Sequence, residues 1–459
     1  MQPARYVSDA EETAGEAAYR RIRADVVLGR LAPGRKLGLE GLRDNYGVAV
    51  GTLREALNRL AAEALVQAEG QRGFVVAPVS AEDFGEVAEL RLLLETEAIA
   101  ASFAVGDLDW EGQVVAAHHK LAVMERRLLA GESADASLWK RYDREFHHAL
   151  IAACGSSVLL ETFAATYDRF LRYQMVAVVF RGAVAAAQHA ALLDCALARD
   201  AAGAGEILRD HVEGCVEHVV RAGALTPFLA GAPRAMSVEA APGDGAATSE
   251  RARRLIRADI LRGTLAPGQK LRLEGLRDTY GAAIGTLRES LSRLIAERLV
   301  VAEGQRGFEV SRFSAQDLRE LARLRLLLEG HALEHAFRVG DMEWEGRVAA
   351  AHHKLAQAEK RLGAGEAGAI DTWRRFDSEF HRALVSACGS RTLMATHGTV
   401  FDRYLRYQNL ALGFRGPIAV EEHAALRDCA IRRDAAGARE ILAAHILGGV
   451  DHALASGTV

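Results

Sequence analysis

A mainly α-helical chain is predicted, in which a winged helix-turn-helix domain and an all-helical antiparallel bundle occur in sequence, twice. Three observations predict it. Segments of the chain return with a constant offset of 234 residues. Each repeat opens with three short helical periods and a Gly-rich hairpin. Each then continues for about 140 residues with only 3.6-residue periodicity.

The repeat sets the organisation. LAPGRKLGLEGLRDNYG at Leu31 returns as LAPGQKLRLEGLRDTYG at Leu265, and AEGQRGF at Ala68 returns unchanged at Ala302. AAHHKLA at Ala116 returns at Ala350, and RDAAGA at Arg199 returns at Arg433. A period this long is a duplicated two-domain unit rather than a solenoid. The expected boundaries are 14–79 and 250–313 for the winged-helix domains, 80–223 and 314–457 for the bundles, and 224–249 for an Ala/Gly/Pro-rich linker. About 25 flexible residues span roughly 28 Å on average, enough for the halves to pair within one chain.

Composition narrows the class. Half of the 459 residues are hydrophobic, 26% are charged and only 6% are aromatic, which suits a helical globular protein. The five cysteines form no CxxC pair and no even framework, so a reducing compartment is expected. The first 20 residues lack an apolar core, and no run of 18 apolar residues occurs; a cytoplasmic protein with no membrane partner is expected. The net charge of −4 is unevenly spread: residues 17–80 carry roughly +4 and residues 251–314 roughly +6. A basic module beside an acidic one suggests a polyanion contact.

In the first winged-helix domain, Glu16–Leu28 places Ile22, Val26 and Val27 on one face, and Pro33-Gly34 ends the element. Leu39–Tyr46 is a second helix closed by Gly47, and Gly51–Ala62 is a third, apolar at Leu53, Leu57 and Leu60. Leu65-Val66 and Phe74–Val76 flank a Gly70-Gln71-Arg72-Gly73 turn. The third helix is the one expected to enter the major groove of double-stranded DNA by its N-terminal end. Candidate DNA contacts are Arg43, Gly51, Thr52, Arg54 and Arg72, and in the second copy Arg277, Gly285, Thr286, Arg288 and Arg306. Glycine admits close backbone approach, threonine bonds a phosphate or base edge, and arginine supplies a fork for guanine or phosphate. A protein-docking module is the plainer alternative for such a unit.

The run PG-x-x-L at Pro33, then L-x-x-x-YGV-x-V-x-x-LREAL-x-RL-x-x-E-x-L-V and the RGF wing, resembles the GntR family of bacterial regulators. The helical segment that follows resembles the family's FCD-type, FadR-like sensor domain. This resemblance implies a transcription regulator with a winged-helix reader, an effector domain and dimeric binding to a short palindrome. One departure stands out: Val50 and Ile284 occupy the place of the family's usual arginine, so base readout falls to Arg54, Thr52 and the wing. The third helices of the two copies differ little, which predicts a near-palindromic operator read by an intrachain pseudo-dimer; further homodimerisation is the alternative.

In the bundles, helical periods run over 81–105, 109–130, 135–153, 156–181, 184–199 and 201–222. Asp143 and His147 stand at i, i+4 on one helix face, which suits a shared metal ion. His189 and His211 are equidistant from Asp200, the start of a turn, so two antiparallel helices would bring them level, about 15 Å from the turn. The same spacing recurs at Asp377, His381, His423 and His445. An ion pair or a core histidine is the plain alternative for either motif alone. Metal-binding FCD domains carry an aspartate and three histidines in this order, so the resemblance implies one divalent transition metal per half. Zinc comes first, with nickel and manganese as alternatives.

Other histidines compete less well. His118-His119 and His352-His353 are adjacent, so both members of a pair cannot face one site. His218 and His452 are expected to be buried and hydrogen-bonded, or else effector contacts. Arg91, Arg172, Arg325 and Arg406 are candidates to hold a small carboxylate effector, with a one-turn pair to Glu95 or Glu329 as the alternative for Arg91 and Arg325. The expected function is therefore a DNA-binding transcription regulator, a repressor, governed by an organic acid at a metal-containing bundle. A metal-dependent enzyme with accessory DNA-binding domains is the second reading. No nucleophile or general-base constellation supports it, and no catalytic residue is assigned. A helical protein-binding scaffold is the third.

Overall fold

The structure is a computed structural model describing residues 13–69, 73–132, 135–177, 180–229, 244–302, 307–411 and 414–455. The wing arginines Arg72 and Arg306, and most of the linker, lie outside the described residues. The described chain falls into two compact bodies. The first takes the chain up to Gly155, then Phe163–Ala258 and Leu265–Ser311; the second takes Ser156–Thr162, Asp259–Thr264 and the chain from Arg312 onward. Both winged-helix heads, apart from Asp259–Thr264 of the second, therefore belong to the first body.

The first head is built from α1 (Ala14–Val27), β1 (Lys36–Leu37), α2 (Leu39–Tyr46), α3 (Val50–Ala62), β2 (Val66–Ala68) and β3 (Phe74–Val76). Thr13 caps α1 by accepting from the Glu16 amide. Leu53, Leu57 and Leu60 of α3 are fully buried, as are Ile22 and Val26 of α1, the helix on which α3 packs. Gly47 closes α2 in the left-handed region at φ 70°, which makes the tight turn into α3 possible without a Cβ penalty. The sequence predicted a two-stranded hairpin; the structure has three strands in the order β1-β3-β2, with Leu37 opposite Phe74. A two-residue edge strand is too short to leave a period-2 signal.

The first bundle comprises α4 (Ala81–Val105), α5 (Leu108–Leu129), α6 (Ala136–Ile151), α7 (Ser157–Ala177), α8 (Ala183–Ala198) and α9 (Ala201–Arg221), followed by a short α10 (Thr226–Leu229). Each helix lies within a few residues of its predicted segment. Ser80, Asp107, Asp135 and Asp200 cap their helices through side-chain oxygens. The turn between α8 and α9 is held by Arg199 in the left-handed conformation (φ 60°), its guanidinium donating to the Gly106 carbonyl at 2.8 Å. That turn determines how α8 and α9 face each other.

The second copy repeats this order. Its head is α11 (Asp244–Arg262), β4 (Lys270–Leu271), α12 (Leu273–Tyr280), α13 (Ile284–Ala296), β5 (Val300–Ala302) and β6 (Phe308–Val310). Its bundle is α14 (Ala315–Val339), α15 (Met342–Gly363), α16 (Ala369–Val385), α17 (Arg391–Ala411), α18 (Pro417–Arg432) and α19 (Ala435–Ala455). No described helix is long and apolar enough to cross a membrane.

Candidate metal centre and DNA-reading face

The one-turn spacing on α6 places Asp143 and His147 side by side, and the α8–α9 hairpin brings His189 level with His211, ring centroids 4.7 Å apart. The donor atoms of all four side chains lie within 4.8 Å of one another, and all four residues are buried. Asp377, His381, His423 and His445 form the same cluster in the second bundle. His189 Nε2 stands 3.3 Å from Asp143 Oδ1, and His423 Nε2 the same distance from Asp377 Oδ1. Ligand bonds of about 2.0–2.2 Å around one ion require donor separations of this order.

The orientation of each ring is set from behind. His189 Nδ1 donates to Glu125 of α5 at 2.7 Å, and His147 Nδ1 to Glu95 of α4 at 2.6 Å. His423 Nδ1 donates to Glu359 at 2.7 Å, and His445 Nδ1 to Glu422 at 2.7 Å. A carboxylate on the far nitrogen fixes the tautomer that leaves Nε2 for a metal. The Nε2 atoms of His147, His189, His381 and His423 are buried with no hydrogen-bond partner, as is Asp377 Oδ1. Orphaned buried donors aimed at one point are costly unless an ion satisfies them. The residues present fit a divalent metal in both halves.

Electrostatics agrees. Burial and the nearby His189 and His147 push the His211 imidazole well below its ordinary pKa, and burial pushes His147 and His381 down. Burial outweighs the Glu422 hydrogen bond at His445, holding it at about 3. These rings are neutral and ready to ligate. Burial also opposes charge on His423, but the flanking carboxylates of Asp377 and Glu359 win and raise it to about 9. Without metal, that imidazole is protonated at neutral pH, and a metal must displace the proton. Metal affinity at this half is expected to rise with pH up to about 9, with about one proton released per ion at pH 7. Calorimetry in buffers of different ionisation enthalpy reads this directly; no proton release would contradict it. In the metal-free protein the sign reverses. The raised pKa stabilises the fold fully below the unfolded value near 6.5, and that contribution disappears as pH climbs through 9.

Several expectations are corrected. Arg91 and Arg325 are buried and pair one turn along their helices with Glu95 at 2.9 Å and Glu329 at 2.7 Å. They hold the carboxylates behind the ligand histidines, the alternative read from the sequence. Arg172 is buried near the junction with the head and donates to the Ala77 carbonyl, while Arg406 packs over the Phe313 ring. Burial lowers both guanidinium pKa values to about 10. Neither lines the cleft beside its metal cluster. Arg325 does line the second cleft. Beside it, and in the first cleft, stand Arg415 and Arg181, just before α18 and α8, which donate to the His445 and His211 carbonyls at 3.1 and 2.8 Å. Their sequence signal was the Phe-Arg-Gly repeated at Phe180 and Phe414. His218 and His452 are exposed rather than buried, because they fall on the outer face of the last helix. His118 and His352 pack edge-on against Phe146 and Phe380, outside the quartets.

The head helices α3 and α13 pack on each other. Arg54 lies 3.8 Å from Glu289 and Arg288 lies 3.9 Å from Glu55, the same pair exchanged through the 234-residue offset. Each arginine side chain remains about half exposed, 51% and 49%. Gly51 and Gly285 are exposed, Arg43 and Arg277 are exposed on α2 and α12, and Thr52 is half-buried. The first turns of both reading helices, with their arginines, stand together.

The FCD domain matches residues 86–214 and 320–448, and the bacterial regulatory protein gntR family matches residues 14–76 and 248–310. The chain is 39% identical over 212 residues to an uncharacterized HTH-type transcriptional regulator, BphR, of Paraburkholderia xenovorans, covering 46% of this chain and 86% of that one. It is 35% identical over 201 residues to the HTH-type transcriptional repressor GlaR of Escherichia coli, covering 42% of this chain and 90% of that one. Each relative thus spans about one half of this chain.

Proposed function

The chain belongs to the gntR family of bacterial regulatory proteins, with an FCD domain after each DNA-binding domain; from that premise we propose that it is a repressor released by a small organic acid bound at the metal-holding bundles. That it is a DNA-binding transcription regulator, not a metalloenzyme, follows from the family. Repression is supported by the relative named a transcriptional repressor. The observation that carries the sensor reading is the convergence of four buried donors, with orphaned Nε2 atoms, beside a cleft into which one guanidinium points. Asp143, His147, His189 and His211 would hold a zinc ion, as would Asp377, His381, His423 and His445. Such an ion supplies Lewis-acid attraction for a carboxylate. Arg181 and Arg415 grip the same group from the cleft wall.

Helix α7 provides the connection to the head. Near its middle the Tyr167 hydroxyl donates to Asp143 Oδ2 at 2.6 Å. The next residue, Asp168, pairs with Arg23 of α1, and Arg172 further along holds the Ala77 carbonyl. A ligand that draws on Asp143 therefore pulls on the helix that α1 rests against. Only differential binding to two arrangements can shift the head.

The chain carries both heads, so one copy should suffice for one operator. Light scattering is expected to give a monomer of about 50 kDa that binds a near-palindromic duplex one to one. An obligate dimer of chains with four heads would contradict this. For the sensor, gel shifts on the DNA upstream of its own coding sequence are expected to weaken when small carboxylates are added to metal-loaded protein and to stay unchanged after chelation. Equal release with and without metal would overturn the metal-linked reading.

A further inference from the structure

The two metal clusters match residue for residue, but the walls of their clefts do not. In the first half, Lys140 is buried and its ammonium lies 3.5 Å from Asp143 Oδ2. Its counterpart in the second half is Arg374, which points away from Asp377: it donates to the Asn409 carbonyl at 2.5 Å and pairs with Asp371 at 3.3 Å. In the first half Arg181 rests on a neutral amide, donating to Gln188 Oε1 at 2.8 Å. In the second, Glu422 occupies that place and forms an ion pair with Arg415 while accepting from His445 Nδ1 at 2.7 Å. The hydroxyls move as well. Tyr167 on Asp143 is replaced by Phe401, and Tyr404, in the position of Phe170, turns to the Ile446 carbonyl.

These changes act together on charge. Around the first cluster, three carboxylates (Asp143, Glu95 and Glu125) face three cations (Arg91, Lys140 and Arg181). Around the second, four carboxylates (Asp377, Glu329, Glu359 and Glu422) face two guanidinium groups (Arg325 and Arg415), with the buried His397 imidazole 3.6 Å from Glu329. The carboxylates and fixed cations thus leave the first site two charges more positive than the second, with the same ion in each. Buried sites of low dielectric translate such a difference into selectivity for ligand charge. The clefts are narrow, so the ligand is a small acid in either case.

We propose that the two sensor halves read different acids: the first selects small dicarboxylates, and the second, whose arginine is already neutralised by Glu422, selects singly charged carboxylates. Gln188 and Glu422 are the specificity-determining pair. The inference rests on the sensor reading above but adds what that reading leaves equal. A second carboxylate on the ligand needs a cation without a carboxylate partner; of the three cleft arginines, Arg325 pairs with Glu329 and Arg415 with Glu422, and Arg181 is the one bonded to an amide.

The test is calorimetric titration of the zinc-loaded full chain with succinate and with butyrate, which share a carbon count and differ by one carboxylate. The unaltered chain is expected to show one succinate site at least tenfold tighter than the other. Gln188→Glu should weaken that site at least tenfold, and Glu422→Gln should strengthen the second to a comparable affinity. Butyrate affinities should move less than threefold in the first half. Both substitutions are isosteric, and a gain in Glu422→Gln cannot arise from misfolding. Two equal succinate sites in the unaltered chain, or variants that follow it within threefold, overturn this inference and leave the sensor reading intact. Absence of heat with either acid at the loaded chain overturns the sensor reading and this inference together.

Discussion

Replacing Arg54 and Arg288 together by alanine is expected to weaken binding to the operator by more than tenfold. The two guanidinium groups stand at the first turns of α3 and α13, half exposed and close together. A bidentate base contact contributes about 1–3 kcal/mol, so two of them amount to about 2–6 kcal/mol. Each substitution also frees Glu289 or Glu55 from its cross-helix partner, placing an uncompensated carboxylate beside the polyanion. The salt dependence separates two roles. If the arginines bind phosphates, the slope of log K against log salt falls by roughly 0.9 for each phosphate no longer neutralised. If they read bases, the slope holds and discrimination between operator and random duplex collapses. Unchanged affinity in a gel shift would remove these residues from the DNA-reading face. The two single variants are expected to resemble each other, because the pair is exchanged by the repeat.

The second large effect concerns the metal. Chelation is expected to lower the apparent unfolding free energy by about 3–4 kcal/mol per half when the free ion had exceeded its dissociation constant by about a hundred- to a thousandfold. His189→Ala should reduce bound metal from two ions per chain to one. It also leaves Asp143 and Glu125 buried without the imidazole that bridges them, a further loss of a few kcal/mol. His118→Ala, outside the quartet and packed against Phe146, should retain both ions. Metal content by plasma spectrometry decides the matter, and two ions retained in His189→Ala would exclude the quartet as the site.

The two candidate ligand quartets were legible because their signals are local. Asp143 and His147 are one helical turn apart, and His189 and His211 are placed by a hairpin whose midpoint is marked by Asp200. The groups behind them were not legible. Glu125 lies 64 positions before His189, and Glu95 lies 52 before His147. No periodicity links residues that meet across different helix pairs. The same limit explains Arg172, whose motif suggested an anion contact. Its helix face turns to the head, and Arg181 at the next helix start occupies the cleft.

The amino-acid sequence by itself determined the duplication, the order of heads and bundles, the helix limits to within a few residues and the two sets of four candidate ligands. Each of these depends on spacing along the chain. Tertiary structure decided the rest: the carboxylates that orient the histidines, the arginines that enter the clefts, and the packing of α3 against α13. It also turned Lys140 toward its aspartate and Arg374 away from its own. The physical reason is that charge and hydrogen bonding act through space over a few ångströms. Two halves with matching ligand spacing can therefore surround their candidate metal sites with different fields.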